Sequence, residues 1–588
     1  MSAYGFAADK RRWPCSWGIV HGRGSYIRGP RTAAALGHAP DAAHYGWAMD
    51  RSLRPPTPST RMIQRHLFWA FLVLLNLPLQ AQTKTERATV EWGPEMNDSK
   101  DGAFDMVVGY TDDFVYMLVW QKKERFLRKM DASHRIVYQK LLPMEIDKDD
   151  HALETVQVLD DRILVFSSYF DKKADINTLY VRSFSEAGFA PMGRMQRVAV
   201  MAAEGRRAGS FSVRISPDER MILVDQQLPY EKEGRERFKL SVFDRDLTPM
   251  WERSVDLPYL DSEFAVVETR VANDGAVIMI GNKYAEKRAA KELRKDGKAT
   301  YTYHVLTYQN DGSEPEDNPI EIADKFLQDL TLNIGDEGDI LCGGFYGKKG
   351  SFAVSGTFFL KLDQNTKQVI HSSFKEFDAD FITQYMTEKE EAKASKRADK
   401  KGEDIELYDY ELRDIVRRTD GGAVMVGEQY RYYVTTTTTS NPNGGTTTTT
   451  THHYIYNDII VVNVDPSGEI EWAAKVPKRQ HSTNDGGRYS SYAMVVKEDN
   501  IYLLFNDSGK NLFLTPGDKV EPFRYGKDML ITLATINGDG KVSREALLAQ
   551  EKREAMTRPK AGVQIGDDRL FIYANWRKDH QYGTVTFR

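Results

Sequence analysis

Five side chains able to handle protons or anions crowd nine positions of the stretch KRQHSTNDGGRYSSY, which starts at Lys478: His481, Asn484, Asp485, Arg488 and Tyr489. An imidazole beside a carboxylate can move a proton, and a guanidinium with a phenol can hold an anion or a sugar hydroxyl. Gly486 and Gly487 make the stretch a hinged loop. A competing reading is a turn whose side chains satisfy its own backbone. Tyr430 and His453, which flank a threonine-rich insertion, are expected on the same face and complete the candidate binding set. No catalytic residue is assigned.

Other chemistry is missing. No G-x-S-x-G elbow, P-loop or H-E-x-x-H occurs. His452, His453, His481 and His580 lack a metal-ligand spacing. Asn537-Gly538-Asp539-Gly540 starts like a calcium loop, but its twelfth position is Leu548, so it reads as a hairpin turn. Asp378 and Asp380 could serve glycoside hydrolysis and read more simply as a solvated loop. No metal and no cofactor are expected.

The elements that must position the loop come from a chain of 588 residues, 41% hydrophobic and 28% charged, with net charge −5. That composition supports a large core and gives no basic excess for nucleic acid. The start of the chain differs from the rest. Residues 1–61 carry nine Lys/Arg against three Asp/Glu without persistent periodicity, and read as an untranslated or disordered extension. From Met62, MIQRHLFWAFLVLLNLPLQAQ has the basic start, short apolar run and small-residue end of a signal peptide, assigned to 62–81. Residues 82–588 would then be the working protein, with 70 basic and 82 acidic residues and net charge −12. They contain one cysteine, Cys342, which reads as a small buried apolar residue, and no transmembrane span is expected in them.

One pattern recurs eight times along 105–588: an acidic or glycine turn, then a short apolar run. Examples are TDDFVYMLVW from Thr111, NDGAVIMIGNKY from Asn273, TDGGAVMVGEQY from Thr419 and GDDRLFIYANW from Gly566. A strand precedes each turn and two follow the run, as in YNDIIVVNVD-PSG-EIEWAAKVP from Tyr456. Runs apolar on both faces belong to strands sandwiched between neighbouring sheets. The expected fold is all-β, a single β-propeller of four-stranded blades, eight favoured and seven the alternative. The last repeat is one strand short, and Arg87–Trp92 is expected to complete it and close the ring.

With strands A to D in each unit, the A–B and C–D turns stay short. The insertions fall in B–C loops (228–236, 282–300, 431–455) and D–A loops (378–408, 479–490), which share one face of an up-and-down sheet. Thr435–Thr439 and Thr446–Thr451 around Asn441-Pro442-Asn443-Gly444 predict a projecting β-ribbon, with low-complexity disorder as the competing reading. Residues 285–298 and 385–401 read as charged helices.

Asp465-Pro466-Ser467-Gly468-Glu469-Ile470-Glu471-Trp472 is similar to the D-x-x-G-x-x-x-W signature of quinoprotein-like and outer-membrane-assembly propellers, and Asp244 to Trp251 is a weaker echo. Quinoproteins carry that Trp in most blades, so the likeness implies no quinone. The stretch 82–588 resembles uncharacterised secreted β-propeller-like proteins of Bacteroidota-type bacteria, most specifically from DGGAVMVGEQY through KRQHSTNDGGRYSSY. That resemblance implies fold and compartment and no activity. The expectation is an exported, periplasmic, outer-membrane-associated or extracellular protein, non-catalytic, binding a protein or glycan of the cell envelope through its elaborated face. The alternative is an envelope hydrolase or lyase with its site at the channel mouth.

Overall fold

The computed structural model describes residues 82–588 except 147, 204–207, 296–297, 310–314, 321, 323–324, 336–337, 349–352, 364, 367, 402–404, 419, 441–444 and 551–554. The extension at 1–61 and the signal peptide expected at 62–81 lie outside the described residues, as do four residues of the ribbon tip.

Among the described residues strands dominate, and they form successive antiparallel sheets of the β-propeller pattern: five of four strands, two of five and one of seven, plus two short pairs. In chain order the large sheets span 103–141, 152–202, 210–260, 264–320, 326–376, 410–483, 493–550 and, for the eighth, 556–587 with 82–97. Every apolar run of the repeat pattern is the second strand of a sheet, such as Phe114–Gln121, Val277–Tyr284 and Arg569–Trp576. These runs are hydrophobic on both faces because both faces are covered. Among the described residues eight apolar clusters form the core, and seven of them draw their residues chiefly from two sheets consecutive in the chain. One joins the first sheet to the eighth, with Phe104, Val107 and Met117 packed on Phe571, Tyr573 and Tyr582.

The N-terminal strand is found where the missing strand was expected. Ala88–Trp92 runs antiparallel to Asp579–Phe587, from Ala88 opposite Phe587 to Trp92 opposite Gly583. Three additions escaped the sequence pattern: Gln82–Lys84 lies on the outer side of that strand, Met96–Asn97 pairs with the start of Asp579–Phe587, and Met556–Thr557 joins Arg569–Trp576. In the fifth sheet the first-strand position is split between Phe326–Leu327 and Thr331–Ile334. Cys342 is buried between the fourth and fifth sheets, and burial pushes its thiol up to about 12.

Helices are few. Lys287–Lys295 and Glu388–Lys401 occupy the two charged segments, and Ala379–Thr383 precedes the second. Asp378, half of the acidic pair, caps that short helix by accepting from the Phe381 N–H at 2.7 Å. No helix among the described residues is long and apolar enough to cross a membrane.

The ribbon is the longest hairpin of the fold, built from Ala423–Ser440 and Thr446–Val464. Its register pairs threonine with threonine, from Thr435 opposite Thr451 to Thr439 opposite Thr447. Thr has high strand propensity and nothing nearby competes for its backbone, so the ladder runs on past the body of the sheet.

Candidate binding face

The loop at 478–492 is shaped by a short strand that the sequence pattern did not show. Gln480–Thr483 pairs with the outer side of the ribbon strand, setting His481 opposite Ile455 and Thr483 opposite His453. Two expected residues thereby meet: His453 Nδ1 lies 3.1 Å from His481 Nε2. The His453 ring stacks on Tyr433 with centroids 4.4 Å apart, and its Nε2 is 2.9 Å from the Thr435 hydroxyl.

The other loop residues hold the loop. Asn484 has φ +56°, and its side-chain oxygen accepts from the His452 N–H at 2.9 Å. Asp485 accepts from the Ser482 hydroxyl at 2.7 Å and the Gly487 N–H at 2.8 Å. Arg488 Nε donates to the Asp485 carbonyl at 3.2 Å, and the Tyr489 carbonyl accepts from Asn506 Nδ2 at 2.8 Å. Gly487 has φ +64° and lies so close to Tyr456 that a Cβ would strike its ring. Tyr430 joins a different group, facing Tyr456 at 4.9 Å between centroids, with the Arg413 guanidinium 4.9 Å from its own ring. His580 lies in the eighth sheet, 2.9 Å from Asp98. Among the described residues no three His, Cys, Asp or Glu side chains gather as metal ligands.

Beneath the loop lies a centre that the sequence did not reveal. Lys478 Nζ is 2.6 Å from Glu428 Oε1, and both side chains are fully buried. Lys478 also donates to Gln480 Oε1 at 3.2 Å, and Ser491 donates its hydroxyl to Glu428 Oε2 at 2.7 Å. Gln480 then donates to the Asn506 carbonyl at 2.8 Å, and Thr557 donates to Asn506 Oδ1 at 2.7 Å. The chain of bonds thus crosses from the sixth sheet through the seventh to the eighth. Burial lowers the Lys478 pKa, and the Glu428 charge resists that shift. At the rim, Lys560 Nζ lies 3.1 Å from the Tyr456 hydroxyl. Burial pulls the Lys560 ammonium down to about 8, with Glu428 opposing, while burial raises the Tyr456 phenol. Lys560 can therefore exchange a proton near neutral pH while Tyr456, whose hydroxyl accepts from it, stays protonated.

The first strands of the third to sixth sheets lie side by side and carry a second polar group. Glu268 accepts from Arg270 Nε at 2.8 Å, from the Thr331 hydroxyl at 2.8 Å and from the Leu332 N–H at 3.2 Å. Burial, then the Arg270 charge, lowers the pKa of Arg214. Asp414 is pushed up to about 6 by burial, against the pull of Arg270. A carboxyl whose folded pKa exceeds its unfolded value holds more protons folded than unfolded between those values, so its share of stability falls as pH rises. For Asp414 that window runs from 3.8 to about 6. Asp414→Asn is expected to remove about 1–3 kcal/mol of this loss. Denaturant titrations below and above the window check it, and an unchanged pH slope would refute it.

The insertions knit together on one face. Lys475 Nζ donates to the Phe381 carbonyl at 2.6 Å and the Ile382 carbonyl at 2.9 Å. Arg479 pairs with Glu390 at 3.3 Å. Residues 509–528, a B–C loop of the seventh sheet missed in the sequence pattern, join the same surface. Their Gly517 N–H donates to the Gln384 carbonyl at 2.9 Å, and their Phe523 N–H donates to the Arg479 carbonyl at 2.8 Å. Phe513 stands out from this loop at 85% exposure. The signal available was the cluster of Gly509, Pro516, Gly517 and Gly526 between two apolar runs.

No protein-family model matches the chain, and no curated protein matches its sequence. Among solved structures, it is similar to a protein of unknown function from Bacteroides caccae, at 10% identity and TM-score 0.25, covering 64% of this chain and 94% of that one. It is also similar to the β-propeller domain of the Trilobed protease from Pyrococcus furiosus, at 9% identity and TM-score 0.31, covering 76% and 96%. Polysaccharide lyase Uly1 matches at 9% identity and TM-score 0.30, covering 84% and 99%. At such scores these likenesses bear on neither activity nor ligand.

Proposed function

We propose that the chain is an exported, non-catalytic β-propeller that binds a protein or glycan of the cell envelope through the face carrying its long loops. The eight large sheets are its blades, and the strand Ala88–Trp92 closes the ring. Support for closure comes from the eight two-sheet cores, including the one that joins the first sheet to the eighth. Support for export comes from the signal-like stretch at 62–81.

The observation that carries the binding role is the knitting of the segments 378–408, 479–490 and 509–528 into one surface beside the ribbon. Loops tied to one another on a rigid scaffold present a fixed shape at little entropic cost. Beneath them, Lys478, Glu428, Gln480 and Ser491 satisfy one another and leave no free nucleophile in that group. Capture of envelope proteins and glycans on the immobilised chain is expected to yield partners that are lost when residues 509–528 are shortened to a tight turn. Identical partners with and without that loop would dismiss the face as the contact.

One observation favours a second reading. The Lys560 amine beside the Tyr456 hydroxyl is a group able to exchange a proton at the rim of the loop. Turnover on a polysaccharide or peptide panel that disappears in Lys560→Met would replace binding with a hydrolase or lyase activity.

A further inference from the structure

We propose that the threonine ribbon is a self-association element, pairing edge to edge with the ribbon of a second copy of this chain. This goes beyond the binding role above and stands independently of it.

Three observations carry it. First, the ribbon has an open edge. The strand Ala423–Ser440 pairs on one side with Tyr410–Arg417 only as far as Gln429. From Arg431 to Ser440 it has a single ladder partner, Thr446–Ile455, and no strand on its outer side among the described residues. Half of the backbone N–H and C=O groups there point away from the hairpin, as at any sheet edge.

Second, the edge strand from Tyr432 to Ser440 has none of the devices that guard an edge. Protected edges carry lysine, inward charges, bulges or proline. Here no Asp, Glu, Lys or Arg lies between Arg431 and Asp458, in a chain that is 28% charged. The register from Tyr430 to Ser440 runs without a bulge. Two copies of a chain with net charge −5 repel each other, and this uncharged segment is where they can approach at least cost. From Tyr430 to Ser440 the strand reaches about 33 Å, so two ribbons can overlap before the bodies meet.

Third, the ribbon lacks a core of its own. Residues 434–440 and 445–450 are exposed on both faces. A two-stranded hairpin without a packed face is marginal in water, whereas two ribbons joined at their edges have three ladders in place of two. A second ribbon supplies those strands. The choice of a second copy over a foreign strand rests on the sequence of the edge itself. A two-fold contact requires a surface complementary to itself, and a run of identical threonines meets its own copy in every register.

The test is sedimentation velocity of the full chain over a wide concentration range. Dimers are expected in the wild type. Thr436→Lys with Thr438→Lys, at exposed positions, is expected to weaken association at least about tenfold by placing charges on the edge. Single cysteines from Thr435→Cys through Thr439→Cys, treated with a mild oxidant, are expected to give a covalent dimer at one or more positions. A wild type that stays monomeric, a lysine variant that dimerises unchanged, or a cysteine series without cross-links would each overturn the proposal. Partner capture, scored separately on the lysine variant, distinguishes failure of self-association from failure of the binding role.

Discussion

Lys478→Met is expected to cost about 3–5 kcal/mol of folding stability, because it leaves the buried Glu428 carboxylate without its nearest counter-charge. The attraction between the two charges is not the source of this number. Two ions removed from water lose solvation that their pairing only partly restores, so the intact pair adds little. The cost lies in the orphan. Glu428 would keep the Ser491 hydroxyl and the Arg413 guanidinium, whose Nε lies 3.7 Å away. Neither replaces the ammonium at 2.6 Å. Glu428→Leu combined with Lys478→Met should recover much of the loss, since no charge is then stranded. Denaturant unfolding of the single and double variants measures both effects. A single variant as stable as the wild type would mean that water reaches Glu428.

Val90→Asp is expected to cost about 4 kcal/mol or more, the range reached when an unpaired charge is forced into a core. Val90 is 1% exposed and sits among Val495, Leu533 and Val585. Its strand also gives backbone bonds to Asp579–Phe587, and Arg588 donates to the Thr89 hydroxyl at 2.7 Å. Removing residues 83–93 should lower the melting temperature in the same way, and a synthetic peptide of that sequence should restore it. A melt unchanged by the deletion would show that the eighth sheet holds without this strand.

Much of the fold could be read locally. Runs such as Ala423–Val426 and Ile501–Phe505 announce strands covered on both faces, and the turns before them, Asp420-Gly421-Gly422 and Glu498-Asp499-Asn500, mark the unit boundaries. The ribbon was legible for the same reason, since threonine runs around Asn-Pro-Asn-Gly leave few other backbone choices. The short strand Gln480–Thr483 was not legible, because its identity rests on a ladder with a strand distant in sequence. The pairing of His453 with His481 follows from that ladder and was hidden with it. Glu428 and Lys478 lie fifty positions apart, and a single Glu or Lys in sequence reads as solvated surface. Residues 509–528 carry no period of two or of 3.6, so their glycines and proline marked a loop but not that it folds onto its neighbours.

The ladder between Ala88–Trp92 and Asp579–Phe587 also dictates an order of events. At about 5–20 residues per second, the later strand emerges from the ribosome tens of seconds after the earlier one. Throughout that time the early strand has its eventual neighbour missing, and the apolar faces of the first and seventh sheets lack the eighth. Contacts this distant in sequence are slow to form, because the loop they close must be ordered first. The last step of folding is therefore withheld until Asp579–Phe587 has been synthesised, and a chain delivered unfolded to another compartment would finish its fold only there.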